Sequence, residues 1–344
     1  MILTFKVKHN RDFSSELRKA KQIAEVAVRT RTQTTKDVKQ YGLKSIIANQ
    51  ILRKYARNRR IKEVKNVNLV VPNTGISLTQ NTIKVPSIKL VLKYHFPSTF
   101  EKINQIEFDE EFAYVSVFLK EPKLIETQKF IGVDLNTTGH IAVVGNPETG
   151  KVVKLGKEAL HIHKKYKAVR MTSQRNGRFG ILKRIRNREN RKIKDLNHKI
   201  SRKIVDVAKE KGCGIKLEKL KGIRNNRKHR RSFNFALHSW SFRQLQSFIE
   251  YKAKLCGIPI VYVEPRHTSQ DCSRCGNIGT RNGKEFVCQS CGHFDNADSN
   301  ASFNIAKREG ICQLNKDRDL FKGSTDTPRG ATLLTRETPN LQTK

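Results

Sequence analysis

Acidic residues are scarce in this sequence. Its 344 residues contain 31 Asp and Glu against 69 Lys and Arg, which gives a formal net charge of +38. A basic excess spread through a folded chain is costly in self-repulsion unless a polyanion neutralises it. The charge therefore indicates nucleic acid as the partner, in preference to an anionic membrane surface or a merely soluble basic protein.

Long apolar runs are also absent. No segment approaches the about 20 apolar residues that a membrane helix needs, and the longest good run, residues 258–263, has the length of a strand. The first residues alternate like a strand and lack the layout of a signal peptide. We therefore expect a cytoplasmic protein. The hydrophobic content of 37% is sufficient for a buried core in at least one of two or three domains.

The seven cysteines argue against a disulfide framework, because their number is odd and four of them form two Cys-x-x-Cys pairs. Twelve residues separate the pair Cys272 and Cys275 from the pair Cys288 and Cys291, and a glycine follows each pair. This spacing is typical of a zinc ribbon, in which four thiolates bind one tetrahedral ion. Four cysteines leave no open position for water, so the pattern predicts a structural zinc ion, with redox chemistry as the alternative.

The hydrophobic pattern of the first 128 residues changes twice. After the alternating first strand, residues 13–24 and 46–55 carry apolar side chains at helical spacing, which predicts a small helical insertion. From residue 67 to 119, short alternating runs are broken by proline, asparagine and glycine. This part predicts a small antiparallel sheet or barrel, which the first strand is expected to join.

A second architecture begins near residue 129. A long basic helical region has one apolar face, formed by Ile193, Leu196, Ile200, Ile204 and Ala208. Further helices are predicted at 242–255 and from about 298 to 307, and strands at 130–135, 140–144, 215–218 and 259–264. Strands that alternate with helices indicate an α/β domain. Residues 309–344 have no sustained periodicity and are predicted to be a mobile tail.

Three carboxylates stand where secondary structure would bring them to one rim of this α/β domain. Asp134 lies in an apolar strand, Glu218 ends another, and Asp298 opens the last predicted helix. Such a cluster can hold two divalent ions about 3.5–4 Å apart for phosphodiester hydrolysis, and magnesium suits oxygen ligands best. Each residue also has a structural interpretation: Asp134 can orient a turn, Glu218 can pair with a lysine, and Asp298 can cap its helix.

Basic residues are concentrated in two runs on either side of Glu218. Residues 161–203 contain sixteen Lys and Arg against two acids, and residues 221–231 contain six and no acid. Arginine-rich helices beside the predicted rim would hold phosphate backbones without reading base sequence. A solvated helix face is the alternative, although such a face normally intersperses acids. Three aromatic residues beside the second run could stack on bases or pack in a core: Phe233, Phe235 and Trp240.

Six short motifs follow one another along the chain. They are Ile-Gly-Val-Asp-Leu-Asn at 131–136, Asn-His-Lys-Ile-Ser-Arg-Lys at 197–203, Leu-Glu-Lys-Leu-Lys-Gly at 217–222, Trp-Ser-Phe-Arg-Gln-Leu-Gln at 240–246, Thr-Ser-Gln-Asp-Cys-Ser-Arg-Cys-Gly at 268–276 and Ala-Asp-Ser-Asn-Ala at 297–301. In these motifs the chain resembles the TnpB (OrfB) proteins of small bacterial and archaeal insertion sequences, which are relatives of type V CRISPR effector nucleases. The resemblance is specific from about residue 129 to 306, looser before it, and absent from the tail.

The resemblance implies an α/β and β architecture with defined parts. A wedge β-barrel is expected at 1–10 and 62–128, interrupted by a helical recognition lobe at 11–61. An RNase H-like, RuvC-type nuclease domain is expected at 129–266 and 296–308, with a zinc-ribbon insert at 267–295 and a flexible tail at 309–344. The family's catalytic, magnesium-binding acids fall on Asp134, Glu218 and Asp298. Its zinc ligands fall on Cys272, Cys275, Cys288 and Cys291.

The function implied by the resemblance is RNA-guided cleavage of double-stranded DNA next to a short flanking motif. A guide RNA from the transposon end would read the target by base pairing, and one carboxylate centre would cut both strands. Two alternatives differ in class. A nuclease-inactive RNA-guided regulator would bind DNA without cutting, against which the intact acids argue, and a guide-free nuclease or resolvase would act without RNA.

Overall fold

The chain folds as two units, residues 1–120 together with 323–344, and residues 121–322. The computed structural model describes residues 1–96, 100–137, 139–220, 242–313 and 332–333. The two units are built differently, since the first is mainly antiparallel sheet and the second combines parallel strands with long helices.

Short strands form most of the first unit. They are β1 (Ile2–Lys8), β2 (Leu69–Pro72), β3 (Ser77–Leu78), β4 (Thr82–Val85), β5 (Leu90–Lys93), β6 (Lys102–Phe108) and β7 (Phe112–Phe118). One sheet has the order β1-β7-β6-β2, and a second has the order β3-β4-β5. Strand β1 runs antiparallel to β7 with Phe5 opposite Val115, so the first strand joins the sheet as predicted. Alternate residues such as Phe5, Val115 and Val117 are buried, as expected for a sheet with one face on a core.

Two helices fill the predicted helical insertion, α1 (Ser14–Thr30) and α2 (Ser45–Arg57). A 3-10 helix, Thr35–Tyr41, lies between them, and two shorter 3-10 helices, Asn73–Gly75 and Pro86–Ile88, lie in the sheet region. The helical spacing of the apolar residues is confirmed, because one face of each helix is buried. The buried positions include Ala20, Ile23, Ala24, Ile47, Ile51 and Leu52.

A six-stranded mixed sheet is the frame of the second unit. Its strands are β8 (Phe130–Leu135), β9 (Ala142–Gly145), β10 (Val152–Leu155), β11 (Gly214–Glu218), β12 (Ile260–Val263) and β16 (Cys312–Gln313), in the order β10-β9-β8-β11-β12-β16. Strands β8, β11 and β12 are parallel, and the others run antiparallel to their neighbours. Strand β9 begins two residues later than predicted, because the backbone N–H of Asn136 donates to the carbonyl of Ile141 and closes the hairpin there.

Five helices accompany this sheet in the described residues: α3 (Glu158–Arg175), α4 (Phe179–Ile185), α5 (Arg188–Glu210), α6 (Phe242–Leu255) and α7 (Ala297–Lys307). The predicted apolar face of α5 is buried from Ile193 to Ala208. The basic helical region is interrupted after α3, where Gly177 adopts a φ of +62° that favours glycine. Helix α5 packs on α6, where the ring of His198 stacks on Phe248 with centroids 3.9 Å apart.

Helix α7 lies directly on strands β8 and β9 because two glycines leave room for it. A Cβ atom added to Gly132 would lie 2.0 Å from the carbonyl oxygen of Ser302. A Cβ atom on Gly145 would lie 2.3 Å from the hydroxyl oxygen of the same serine. Only glycine allows this approach, and the approach brings the first turn of α7 toward the end of β8.

Three more strands form a separate sheet around the cysteine pairs: β13 (Thr280–Asn282), β14 (Glu285–Val287) and β15 (Phe294–Asn296). In the predicted tail, β16 pairs with β12, and a last strand, β17 (Thr332–Leu333), runs parallel to β1. These two segments pair with edge strands, which supply partners that a local pattern does not reveal. Residues 314–331 and 334–344 of that tail lie outside the described residues.

Candidate active site and metal centre

Asp134 and Glu218 come from adjacent parallel strands. Leu217 of β11 lies opposite Val133 of β8, so the next residue of each strand is one of the two predicted carboxylates. Asp134 is only 8% exposed, although it carries a carboxyl group. Parallel pairing in this register brings both side chains to the same edge of the sheet.

Asp298 comes from helix α7, which packs on strand β8. It lies in the first turn of the helix and is 3% exposed. The side chain of Asn296 accepts hydrogen bonds from the backbone N–H groups of Asp298, at 3.2 Å, and Ser299, at 3.4 Å. Asn296 is thus the N-cap, and the alternative that Asp298 serves as the cap is wrong.

The charges of Glu218 and Asp298 act on the carboxyl group of Asp134. Burial raises the pKa of Asp134 to about 7, and the charges of Glu218 and Asp298 contribute to the rise, while a hydrogen bond from Asn136 opposes it. Burial also raises the pKa of Glu218, opposed by a hydrogen bond from Thr268. The donor set consists of hard carboxylate oxygens, which a divalent cation such as magnesium prefers.

Two of the carboxylates are held by polar neighbours. The amide of Asn136 donates to Oδ2 of Asp134 at 2.8 Å, so Asp134 is also tied to the turn after β8, as its structural interpretation allowed. The hydroxyl of Thr268 donates to Oε1 of Glu218 at 2.5 Å. These contacts restrict the orientation of the carboxylates, as outer-shell partners do at metal sites.

Two cations approach Asp298 from the sheet around the cysteines. Nη2 of Arg281 lies 3.2 Å from Oδ1 of Asp298, and Nζ of Lys284 lies 2.5 Å from Oδ2. Sequence reasoning missed both residues, since nothing in their local pattern distinguishes them from surface residues of a hairpin. Their proximity to an acid of the rim depends on how that hairpin folds back on α7.

Buried asparagines connect α7 to the segment that leads into the cysteine pairs. Asn300 accepts from the N–H of Ser273 at 2.8 Å and donates to the carbonyl of Asp271 at 2.7 Å. Asn304 donates to the carbonyls of Thr268, at 2.9 Å, and Asp271, at 2.6 Å. Sequence reasoning missed these residues as well. The signal that could have found them is a run of amides and hydroxyls on a helix that packs against a sheet, because buried polar groups need partners.

The four predicted zinc ligands form one cluster. Their sulfur atoms all lie within 4.8 Å of one another, with 3.7 Å between Cys272 and Cys291 and 3.5 Å between Cys275 and Cys288. A tetrahedral zinc ion with Zn–S bonds of about 2.3 Å places its sulfurs about 3.8 Å apart. The cluster therefore fits a zinc ion, and all four cysteines that were predicted to meet do so.

The glycines after each cysteine pair occupy tight turns of the backbone. Gly276 and Gly292 have φ angles of +78° and +68°. The N–H of Gly276 donates to the carbonyl of Cys272, and that of Gly292 donates to the carbonyl of Cys288, both at 2.9 Å. A side chain would strain each of these turns, so glycine completes both knuckles.

The basic surface lies mainly on α3, α4 and α5. Most Lys and Arg side chains of the first basic run are exposed. The second basic run, residues 221–231, lies outside the described residues, as do Phe233, Phe235 and Trp240. Among the helices that the structure describes, none has the length and apolar character needed to cross a membrane.

Known proteins resemble this chain in both sequence and structure. Residues 242–305 match the model of the Cas12f1-like, TNB domain. The CRISPR-associated endodeoxyribonuclease Cas12f1 of Sulfoacidibacillus thermotolerans is 31% identical over 207 residues, 55% of this chain and 48% of the relative. The chain thus spans about half the length of that relative. A TnpB-like protein of Methanocaldococcus jannaschii is 29% identical over 267 residues, 77% of this chain and 87% of the relative.

A third relative and two solved structures are also similar to this chain. A TnpB-like protein of Aquifex aeolicus is 28% identical over 211 residues, 54% of this chain and 69% of the relative. A Cas12f1–sgRNA–target DNA complex covers 89% of this chain and 99% of its own, at 18% identity and a TM-score of 0.45. The match to a Cas12f ternary complex covers 86% of this chain and 82% of the solved chain, at 17% identity and a TM-score of 0.46. The resemblance predicted from the motifs is confirmed: the chain is related to the TnpB-like proteins and to the Cas12f1 endodeoxyribonucleases.

Proposed function

We propose that this protein is a transposon-encoded, RNA-guided endonuclease that cuts double-stranded DNA next to a short flanking motif. The observation that carries the proposal is the placement of Asp134 and Glu218 on adjacent parallel strands, where burial and the charges of Glu218 and Asp298 raise the pKa of Asp134 to about 7. Relatives of this chain are named endodeoxyribonucleases, which supports DNA as the substrate. A guide RNA from the transposon end is the second proposed partner.

The proposal assigns magnesium to the three carboxylates. Asp134, Glu218 and Asp298 would hold two such ions, whose chemistry would be to activate a water molecule and to stabilise the leaving oxygen of a phosphodiester. Neighbouring side chains hold two of these carboxylates in place before any ligand binds. Asn136 and Thr268 orient Asp134 and Glu218 through hydrogen bonds, so little reorganisation is required when ligands arrive.

The proposal assigns a structural zinc ion to the four cysteines and retains the predicted domains. Residues 129–266 and 296–308 would form the RuvC-type nuclease domain, and 267–295 its zinc ribbon. The wedge barrel at 1–10 and 62–128 and the recognition lobe at 11–61 belong to the same proposal. A closed zinc shell would stabilise the hairpin that brings Arg281 and Lys284 to Asp298, which links the two metal sites mechanically.

The test is cleavage of a plasmid library that carries one target beside randomised flanks. The full chain is expressed with its native downstream flank, purified, and the RNA that stays bound is sequenced. One dominant RNA, with magnesium-dependent cuts beside one flanking motif, is the expected result. The Asp134→Ala variant should bind the same RNA and cut no DNA.

A control variant and three contrary outcomes sharpen this test. Asp195→Ala removes an exposed acid that pairs with Lys199 at 2.8 Å on α5, and should leave cleavage unchanged. RNA-dependent DNA binding by the parent without cleavage would favour the inactive regulator. Cleavage without RNA would favour the guide-free nuclease. Cleavage that persists in Asp134→Ala would contradict the assigned site.

A further inference from the structure

Phe179 is the most exposed large apolar side chain in the part of the chain that the structure describes, at 69%. Phe179 is the first residue of α4, the short helix that connects the long helices α3 and α5. We call the segment formed by these three helices the basic hairpin, with α4 at its tip. Residues 174–180 around it are all exposed. An aromatic ring held in water at the end of a hairpin does not contribute to a core, so it is available to a partner.

The surroundings of Phe179 are strongly cationic. Residues 159–188 contain ten Lys and Arg and no Asp or Glu. Lys183 follows Phe179 by one helical turn and Arg186 by two, and both are exposed. Arg186 keeps helical backbone angles just beyond α4, with φ of −42° and ψ of −43°. Helical geometry therefore places one ring and two cations along a single exposed stripe.

The charge of the stripe selects the class of partner. A second copy of this chain would bring like charges together, which opposes a homodimer through this surface. A polyanion that also offers a flat ring satisfies both Phe179 and its neighbours. Duplex DNA keeps its bases stacked inside, whereas folded RNA displays unpaired bases in loops and bulges, where aromatic side chains stack on them.

We propose that Phe179 stacks on an unpaired base of an RNA strand whose adjacent phosphates contact Lys183 and Arg186. The site therefore takes single-stranded RNA, held by stacking and charge without base-specific hydrogen bonds. This inference rests on the RNA partner of the proposed function. It adds a particular contact, on helices that carry none of the three carboxylates.

Binding of two fluorescent RNA probes tests the stacking contact. The full chain is stripped of nucleic acid in high salt and titrated with an oligouridine that carries 2-aminopurine, and with a duplex RNA. The parent should quench 2-aminopurine. Phe179→Ala should abolish the quench and weaken single-strand binding roughly 5- to 150-fold, the range for one stacked base. Phe179→Trp should restore the quench and the single-strand affinity. Lys183→Gln should lower the affinity for both the single-stranded and the duplex probe, but the bound single strand should still be quenched.

Matched controls distinguish stacking from simple charge attraction and from a general loss of apolar surface. Met171→Ala removes another exposed apolar side chain of the basic hairpin, which is 44% exposed on α3, and should bind like the parent. The inference is overturned if Phe179→Ala binds oligouridine like the parent, if duplex RNA loses as much affinity, or if only a matched oligothymidine is affected. DNA cleavage is not part of this readout. A protein that quenches the probe but never cuts DNA would therefore contradict the proposed function and leave the stacking contact supported.

Discussion

The ammonium group of Lys284 lies 2.5 Å from Oδ2 of Asp298, so the hairpin between the cysteine pairs supplies a counter-ion to the candidate active site. The backbone is joined at the same point, because the N–H of Ala297 donates to the carbonyl of Lys284 at 2.8 Å. Helix α7 and the hairpin are therefore coupled through both a side chain and the main chain. Changes in the cysteine cluster should consequently be transmitted to Asp298.

Replacing Lys284 should change the affinity for magnesium. In Lys284→Met, Asp298 loses a cation that competes with a divalent ion for the same oxygen, so magnesium should bind roughly two- to fivefold more tightly. Calorimetric titration of the nucleic-acid-free protein with magnesium measures this change. Arg274→Met, an exposed cation of the same cysteine segment, is the control and should not alter the affinity. Weaker magnesium binding in Lys284→Met would contradict the competition.

Asp134 should destabilise the metal-free protein at neutral and alkaline pH. Its pKa is raised from 3.8 to about 7, so the stability provided by the protonated form is complete below about pH 4 and is lost as pH rises to about 7. Asp134→Asn should thus raise the free energy of unfolding by roughly 1–4 kcal/mol at pH 8. Urea denaturation with a chelator at pH 4 and pH 8 measures this. The control Asp195→Asn should change the free energy of unfolding equally little at the two pH values. If Asp134→Asn stabilised the protein equally at pH 4 and pH 8, ionisation of Asp134 would not be the cause.

Thr268 should position Glu218 for its role in cleavage. Thr268→Val keeps the shape of a 4% exposed side chain but removes the hydroxyl that donates to Glu218. We expect a decrease of about 10- to 100-fold in cleavage rate or metal affinity, the usual range for such partners. Thr268→Ser should recover most of the activity. Thr280→Val, which removes an exposed hydroxyl bonded to Gln289, should have no effect on a magnesium titration of cleavage.

The four-cysteine cluster should bind one zinc ion per chain. Cys288→Ser should lose the ion, because a buried member of the ligand set is replaced, whereas Cys256→Ser lies outside the cluster and should retain it. Metal analysis of the purified variants measures occupancy. Hydrogen exchange should show lost protection near residues 268–298 only. A metal content that is equal in both variants would exclude the cluster as the site.

Lys252 should make the stability of the second unit depend on pH in the alkaline range. It is 2% exposed on α6, where it donates to the carbonyl of His198 and the hydroxyl of Ser201. Burial lowers the pKa of Lys252 from 10.5 to about 8, so stability from this group should rise as pH increases from about 8 to 10.5. Thermal denaturation measures this change: between pH 8 and pH 10.5 the free energy of unfolding of the parent should increase by roughly 1–3 kcal/mol relative to that of Lys252→Met. Parallel curves for the two proteins would contradict it.

The sequence by itself determined the local elements and the ligand spacing of this protein. The apolar period of α5 from Ile193 to Ala208 predicted a buried helix face, since periodicity depends only on residues a few positions apart. The two cysteine pairs predicted their own cluster, because close pairs leave few ways to arrange four thiolates. Asp134 and Glu218 were identifiable from charges placed at the ends of apolar strands.

Only the tertiary structure decided which side chains meet these groups. Lys284 contacts Asp298 across 14 residues of chain, and Thr268 contacts Glu218 across 50. The short strand Cys312–Gln313 exists because the edge of β12 offers it a partner. Such contacts depend on how separate elements pack, since hydrogen bonds and ion pairs are satisfied in space and leave no period in the sequence. Local physics therefore predicted the carboxylates and cysteines, whereas packing determined their surroundings.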